Sequence, residues 1–416
     1  MRIPLMLLVL VVACAGASDE DASAAASPTD AVLVRHDAEA FENAPRWRVS
    51  DTVEVTYDPG SRLEFDIPDA SYAALFDSGH LVVLAVFDPV RLMLFGPDGR
   101  PDRLLARPGE GPGEVQRASG LFVSGDSILL VDRGLSRSSW YTIADGFIGS
   151  TRTGDGRCLS AIDLLANGRL LLTDGCVTPT DSIPEAGMRQ PTALSTVSLD
   201  LRDRDTIAIV AGRTLKVIET RFGGRRGRTR AIVRLGPRAS AMAWGDGVAV
   251  ATDVDGYAID HYRLDGGVRT RIAVARTRRP VTATMREGVI ADALAEVERM
   301  GTERMVDPGE SRRLAREEPI ADSLPHINWL REDQDGTLWV GDFQAPGDST
   351  WQLTGFRPDG SIVARLSGSG TEEVRAILRD RVLLHTTDDD GVVRFLTTRT
   401  DQHQQPQGDA HRGPLR

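Results

Sequence analysis

The residues that could do chemistry in this chain are few: three cysteines, seven histidines, a single lysine and two aspartate clusters. Asp253-Val254-Asp255-Gly256 and Asp388-Asp389-Asp390-Gly391 gather hard oxygen donors beside a glycine, as a calcium site would. Neither is followed by the bidentate glutamate that closes a calcium loop, so both read as Asp-rich turns, with calcium the one metal they could take. His80, His326 and His385 fall near strand ends, with no spacing that pairs them as ligands. The glycine-rich run Gly109 to Glu114 is not a phosphate loop, because no Lys-Ser/Thr follows it and no helix opens after it. A nucleophile elbow, a zincin motif and a C-x-x-C pair are missing from the sequence. Lys216, the lone lysine, leaves almost no candidate for Schiff-base chemistry. On these residues no catalytic group, metal ligand or cofactor is assigned.

What must position these residues is a repeat. From Gly109 to Gly146 the chain holds a glycine-rich lead-in, an apolar run, a Gly125-Asp126 turn, a second apolar run to Val131, a polar loop at Asp132 and Arg133, an aromatic strand and a second turn. Two linked hairpins of this kind make one four-stranded blade, which cannot bury both faces alone and must stack on copies. The first turn recurs at Gly79, Asn167-Gly168, Gly245-Asp246, Asp335-Gly336 and Arg379-Asp380; the second recurs at Asp98-Gly99, Asp265-Gly266 and Asp359-Gly360. Intervals from Gly79 to Asp126, Asp126 to Gly168 and Gly336 to Asp380 match a blade of about 40 to 50 residues. The two longer intervals, on either side of Asp246, must hold insertions or a seventh blade. The expected fold is therefore all-β: a six-bladed β-propeller of four-stranded antiparallel blades.

The RPGEGPGEV lead-in, the Val-Asp strand endings and the Pro-Asp-Gly turns resemble bacterial six-bladed propeller proteins related to NHL-repeat domains. The resemblance covers roughly Trp47 to Arg399 and implies the fold, while implying almost nothing about activity.

Within that frame three segments break the pattern, the first a long polar loop from Val177 to Pro191. Arg213 to Arg238 carries eight arginines and Lys216 against one acid, Glu219; it reads as a solvated basic loop or as a docking patch for an anionic partner, and its ends could pair across Gly223-Gly224. Between blades 4 and 5, residues 281–324 form a helical insertion, with Met285, Val289, Ile290, Ala293, Leu294, Val297 and Met300 at helical spacing and Thr284 with Glu287 as a capping box.

At the N-terminus, residues 1–13 read as a signal peptide, an apolar run after Arg2 that is too short to span a bilayer. Val11-Val12-Ala13-Cys14 resembles a bacterial lipobox, which implies lipidation of Cys14 and, with Ala15 following, an outer-membrane lipoprotein facing the periplasm. Residues 14–45 are expected to be a lipidated flexible tether, 46–400 the propeller, and 401–416 a disordered tail. A formal net charge of −11 argues against nucleic acid as a partner. No later segment is apolar enough to cross a membrane, so contact with one is expected only through the N-terminal lipid, and the protein is expected to be a monomer.

Strand alternation sends the loops after each second strand, and the loops between blades, to one side. That side is expected to display Asp88, Asp132, Arg133, Asp253, Asp255, Asp342 and Asp388, with Arg225, Arg226, Arg228 and the helix at its rim. The leading function is an envelope lipoprotein whose propeller is a binding platform for a protein, peptide or glycan. The alternatives are a metal-dependent hydrolase resembling six-bladed lactonases, with Glu114, Glu372 and Asn328 near the starts of innermost strands, and a structural scaffold subunit.

The two remaining cysteines give the first prediction. If Leu165 pairs with Arg169 across the Asn167-Gly168 turn, the same register places Cys158 opposite Cys176, and an oxidising envelope would bridge them. Thiol labelling of unreduced, denatured protein should then find neither cysteine reactive; two labelled thiols would refute the bridge.

Overall fold

The computed structural model describes residues 31–60, 62–67, 71–86, 89–153, 159–174, 180–300, 307–345, 347–370, 372–388 and 392–402. Cys14, Asp88, Cys158 and Cys176 lie outside them, as do residues 1–13, 389–391 and 403–416.

The described chain is mostly β. It opens with β1 (Val32–His36), helix α1 (Ala38–Glu42) and β2 (Arg46–Tyr57). The first sheet then runs β3 (Ser71–Leu75), β4 (Leu81–Ala85), β5 (Arg91–Phe95), β6 (Pro101–Ala106), and the second β7 (Ala118–Ser124), β8 (Ser127–Asp132), β9 (Arg137–Thr142), β10 (Gly146–Arg152). A third sheet takes β11 (Leu159–Leu164), β12 (Leu170–Asp174), β13 (Met188–Val197), β14 (Arg204–Phe222) and β15 (Arg225–Ile232). The fourth takes β16 (Ser240–Trp244), β17 (Gly247–Ala251), β18 (Tyr257–Arg263) and β19 (Val268–Val274), with β1 added outside β19. After α2 (Ala283–Met300) and α3 (Pro308–Arg316) come β20 (Ile327–Glu332), β21 (Leu338–Asp342), β22 (Thr350–Phe356), β23 (Ile362–Ser369), β24 (Glu373–Leu378), β25 (Arg381–Thr387) and β26 (Val393–Gln402). These last seven strands and β2 share one sheet, in the order β20-β21-β22-β23-β2-β26-β25-β24.

Every turn read from the sequence joins the two strands it was placed between, because each supplies a glycine or an Asx residue where the backbone must reverse. Second strands such as LVVLA are buried along their whole length, since both their faces meet neighbouring sheets. The innermost strands β3, β7, β11, β16, β20 and β24 each touch the next, and β24 returns to β3. Core clusters lie between adjacent sheets: Trp244, Tyr257 and Ile259 of the fourth pack on Leu330, Leu338 and Phe356 of the last. Tyr57, Leu383 and Phe395 of the last sheet pack on Leu81 and Phe95 of the first.

Strand β2 pairs beside β26, with Tyr57 opposite Phe395 and Val53 opposite Thr398. It also reaches both neighbours. Arg46 to Arg48 pair in parallel with Arg365 to Ser367 of β23, and the Tyr57 hydroxyl donates to the Gly79 carbonyl of the first sheet's opening turn at 2.8 Å. Gly99, at φ +81 in the first sheet's second turn, lies so close to β2 that a Cβ there would stand 2.0 Å from the Thr56 carbonyl oxygen. The Pro-Asp-Gly turn thus needs glycine for close approach as well as for its backbone angle.

Other expectations are corrected. The flexible tether of 14–45 stops short, because 32–45 are folded: β1 pairs in parallel with Thr270 to Val274 of β19, and Phe41 of α1 is wholly buried. The basic segment forms no seventh blade. Its ends do pair, Lys216 opposite Ala231 and Val217 opposite Arg230, but as a hairpin that lengthens the third sheet, turning at Gly223 and Gly224 with φ +57 and +76. The loop expected over 177–191 gives its last residues to β13, which begins at Met188. In the helical insertion Thr282, not Thr284, takes the capping role, its Oγ1 accepting from the Met285 N–H at 3.3 Å. The last strand runs on to Gln402, two residues into the expected tail. At the third sheet's first hairpin Leu165 N donates to Arg169 O as expected, but an irregularity between Ala161 and Asp163 moves the register by one, pairing Leu159 with Asp174.

Phe41 tests the fold assigned to the N-terminal segment. Its ring meets Tyr257 edge-on at 5.9 Å and lies under the guanidinium groups of Arg365 at 4.5 Å and Arg276 at 5.0 Å. Phe41→Ala should lower unfolding free energy by about 3–5 kcal/mol in urea titration, the range for emptying a packed aromatic site; a tether residue would leave the midpoint unchanged.

Candidate functional site

Two insertions far apart in sequence meet on the structure. The β14–β15 hairpin projects beyond the third sheet because β14 runs on past its pairing with β13, and α3 lies against it. Glu310, at the start of α3 and 7 % exposed, accepts the Arg221 backbone N–H at 2.6 Å. Arg313 one turn later holds the Glu310 carboxylate at 2.6 and 2.8 Å and donates to the Glu219 carbonyl at 2.7 Å. The Arg313 guanidinium keeps the Glu310 carboxyl down at about 2, with the Arg221 N–H adding to it. At the hairpin's exit Arg234 N donates to Pro319 O and Ala321 N to Arg234 O, at 2.8 and 3.0 Å. A charged side chain pinned by both a cation and a backbone amide is a directional tie, so hairpin and helix are fixed to one another.

Between them lies a cavity of about 960 Å³. Ile218, Val233, Leu235, Val297, Leu314 and Phe343 supply apolar surface; Arg213, Arg230, Arg234 and Arg238 come from the hairpin side, and Asp292, Glu296 and Glu318 from the helix side. Such a groove combines apolar area with a cationic wall on the hairpin side and a helix wall of mixed charge, since Arg299 lines it beside those three acids. Arg225, Arg226 and Arg228, at the hairpin's far end, are exposed.

The acidic candidates behave differently, for the fold itself uses them. Asp132, 1 % exposed, accepts four backbone N–H groups, from Gln116, Arg117, Gly134 and Leu135, at 2.7 to 3.1 Å. Asp253, at φ +55, accepts the His326 N–H at 2.8 Å and is bonded by Arg278. Asp342 takes both contacts of Arg276 at 2.8 and 2.9 Å, Asp255 pairs with Arg271, and Asp388 with Arg394 and the Val392 N–H. Arg133 is exposed, and its N–H donates to Arg117 O. Of the acidic surface expected there, Asp132, Asp253 and Asp342 are internal braces, each held by loop amides or an arginine, while Asp255 stays mostly exposed beside Arg271.

Two of the three residues kept for a metal are taken up locally. Gly111 N donates to Glu114 Oε2 at 2.7 Å, so that carboxylate closes its own loop, while Asn328 Oδ1 accepts from Arg238. Among the described residues no group of three His, Cys, Asp or Glu stands close enough to hold a metal ion.

A smaller polar cavity, about 240 Å³, lies over Arg276, Arg279, His326, Asp342, Asp348 and Trp351. Burial, aided by Arg276 and Arg278, holds His326 down at about 4. Burial pushes the Asp253 and Asp342 carboxyls up, against the pull of their arginines.

No family model matches this chain, and no curated protein matches it either. Among solved structures the chain is similar to a Bacteroides fragilis protein described as exported, at 11% identity and a TM-score of 0.46, over 90% of this chain and 100% of that one. It is also similar to virginiamycin B lyase from Staphylococcus aureus, at 10% identity and 0.37 over 79% and 94%, and to a DUF4221 family member from Bacteroides vulgatus, at 9% and 0.37 over 86% and 96%. At such identities and scores nothing about activity passes from those proteins to this one. No helix among the described residues is long and apolar enough to cross a membrane.

His326 sets a pH dependence. Its folded value near 4 lies below the ordinary 6.5, so between those values the unfolded chain binds more protons and stability falls as pH drops through that window. Asp253 and Asp342, with raised values, act in the opposite sense. Comparison with His326→Gln isolates the histidine: wild type should lose about 2–3 kcal/mol more than the variant between pH 7 and 4 in urea midpoints, and parallel curves would show that His326 is not buried neutral.

Proposed function

We propose that this chain is a six-bladed β-propeller of four-stranded blades, exported and held to the envelope by a lipid on Cys14, whose hairpin and helical insertion form a binding platform for a protein, peptide or glycan. The blade count rests on the six innermost strands that touch in turn, with the eight-stranded sheet counted as two blades joined through β2. Export and the lipid rest on the apolar run and the lipobox-like Val11 to Cys14. The bridge between Cys158 and Cys176 belongs to the same proposal, since it needs an oxidising compartment.

The observation that carries the binding role is the groove itself. Two irregular segments inserted into an otherwise regular repeat are tied together by Glu310 and Arg313 and enclose about 960 Å³ lined by apolar side chains with charged rims. Rigid framing of an apolar groove reduces the ordering cost of binding, which is what a recognition surface requires. The hydrolase alternative has no comparable support in its carboxylates, and nothing distinguishes a purely structural scaffold.

Ala293, on α2 and partly exposed, lines the groove. Ala293→Trp should fill it without touching the sheets. With wild-type chain as bait in detergent-solubilised envelope, the cross-linked partner should fall at least about tenfold with Ala293→Trp, as for blocking a central anchor site. Ile209→Ser, altering an exposed residue of β14 outside the groove, should capture as wild type. Undiminished capture by the tryptophan variant would move the site elsewhere.

A further inference from the structure

The β14–β15 hairpin has two edges, and the fold closes only one of them. Beyond its pairing with β13, β14 is taken by α3: the Arg221 N–H goes to Glu310 and the Glu219 carbonyl to Arg313. Both groups thus point away from β15. In an antiparallel ladder the N–H and C=O of one residue share a side, so Glu219 and Arg221 form non-hydrogen-bonded pairs with their partners in register, Arg228 and Arg226. By the same rule Arg226 and Arg228 turn their own backbone groups outward. They face the outer edge of β15, the last strand of its sheet. The 3-10 turn Thr180–Ser182 approaches β15, but among the described residues no hydrogen bond reaches the backbone of Arg226 or Arg228 from outside the hairpin.

The same two residues carry the charge. In Arg225-Arg226-Gly227-Arg228 the side chains of 226 and 228 share a face, about 7 Å apart at the rise of an extended strand. Arg221 joins them there. Side chains of a non-hydrogen-bonded pair stand nearest across a ladder, so Arg221 and Arg226 set two cations against each other, an arrangement that destabilises a sheet. All three guanidinium groups belong to exposed residues, and among the described residues no carboxylate stands within ion-pair distance of them. Glu219 lies opposite Arg228 in register without reaching that distance.

Charge on an exposed edge ordinarily keeps other strands away. Here its sign is single, so it repels a second copy of the same hairpin and attracts a strand of opposite charge. Unpaired backbone groups and unpaired cations also recur together, at every second residue. An anionic lipid surface could use only the cations, whereas an extended polypeptide uses both at once, by adding a strand to the sheet. We propose that the edge of β15 at Arg226 and Arg228 receives an extended acidic segment of a partner protein, with carboxylate side chains at alternate positions. The proposal rests on the reading of the hairpin as part of the binding platform, but it uses the open edge and not the groove at Ala293.

The probe is a labelled synthetic peptide alternating glutamate with threonine, titrated with the purified full chain and followed by fluorescence anisotropy. It should bind one to a chain. A peptide of the same composition with its glutamates in one block, and the alternating peptide with N-methylated glutamate amides, should each bind at least about fivefold more weakly, since one loses the register and the other the backbone bonds. Arg226→Gln and Arg228→Gln combined should weaken binding about tenfold, the sum of two cross-strand charge pairs. Arg100→Gln, in a turn of the first sheet, should bind as wild type. The melting temperature of the double variant should equal or exceed that of wild type, because the opposed cations are relieved. Amide exchange resolved by residue gives a second readout. The Arg226 and Arg228 amides should exchange fast in the free protein and slowly with peptide bound, while Gly227 and Thr229, turned towards β14, change little.

Equal affinity for the block or the N-methylated peptide, unchanged affinity in the double variant, or binding to phosphatidylglycerol vesicles in place of the peptide would overturn the proposal. If Ala293→Trp loses its envelope partner and the peptide binds neither protein, the edge is wrong and the groove stands. Peptide binding retained in Ala293→Trp supports the edge, whatever becomes of capture.

Discussion

The structure depends on one strand from the start of the chain pairing with the strand that ends it. β2 takes the open edge of β26, reaches β23 on its other side, and through Tyr57 and the contact at Gly99 fastens to the first sheet. Without it β23 and β26 would be left with unpaired edges, and the first sheet would lose its contacts with Tyr57 and Thr56. Closure is non-covalent and needs residues more than 300 positions apart, such as Tyr57 and Phe395, so the full set of inter-sheet contacts can form only when both ends are in place. Stacked sheets that are otherwise nearest-neighbour units are thereby coupled into one closed object. β1 and α1 extend the same device, for Phe41 fills a site between the fourth and last sheets under Arg276 and Arg365.

Arginine does most of the electrostatic work in this fold. Its planar fork can meet a carboxylate and a carbonyl together, as Arg313 does with Glu310 and Glu219, and a flexible ammonium would hold the same geometry less firmly. The acids that follow second strands belong to this bracing: Asp132 gathers loop amides, while Asp342 and Asp388 each take an arginine. Their carboxylates are thus taken up within the fold, Asp132 and Asp342 most fully. Arg225, Arg226 and Arg228 at the far end of the hairpin are exposed to solvent.

The insertions gain their meaning from each other. Alone, β14–β15 would be a two-stranded ribbon with marginal stability, and α2–α3 a helical pair with half its apolar residues exposed. The tie through Glu310, together with the backbone bonds at Arg234, gives each a neighbour and leaves a groove between them. A regular repeat supplies the rigid base from which both project.

What the sequence by itself determined is what local chemistry controls. Glycine and aspartate reverse the backbone where they fall between these apolar runs, so the hairpins, and with them the strand pairs, could be read in order. The long amphipathic helix was legible for the same reason, since its period lies within one segment, although its cap was misplaced by two residues. Strand β1 was not legible, because it is short and mostly exposed, and α1 was not, because the partners that bury Phe41 come from residues more than 200 positions away. Asp132, Asp253 and Asp342 looked like open carboxylates, since nothing in the run Val131-Asp132 or in the Asp253 turn tells which amides or arginines will converge there. Only the tertiary structure decided that, as it decided that the arginine hairpin and the helices share a groove. Burial and charge pairing are properties of what the closed ring brings together, and residues that meet through the ring leave no spacing in the chain to read.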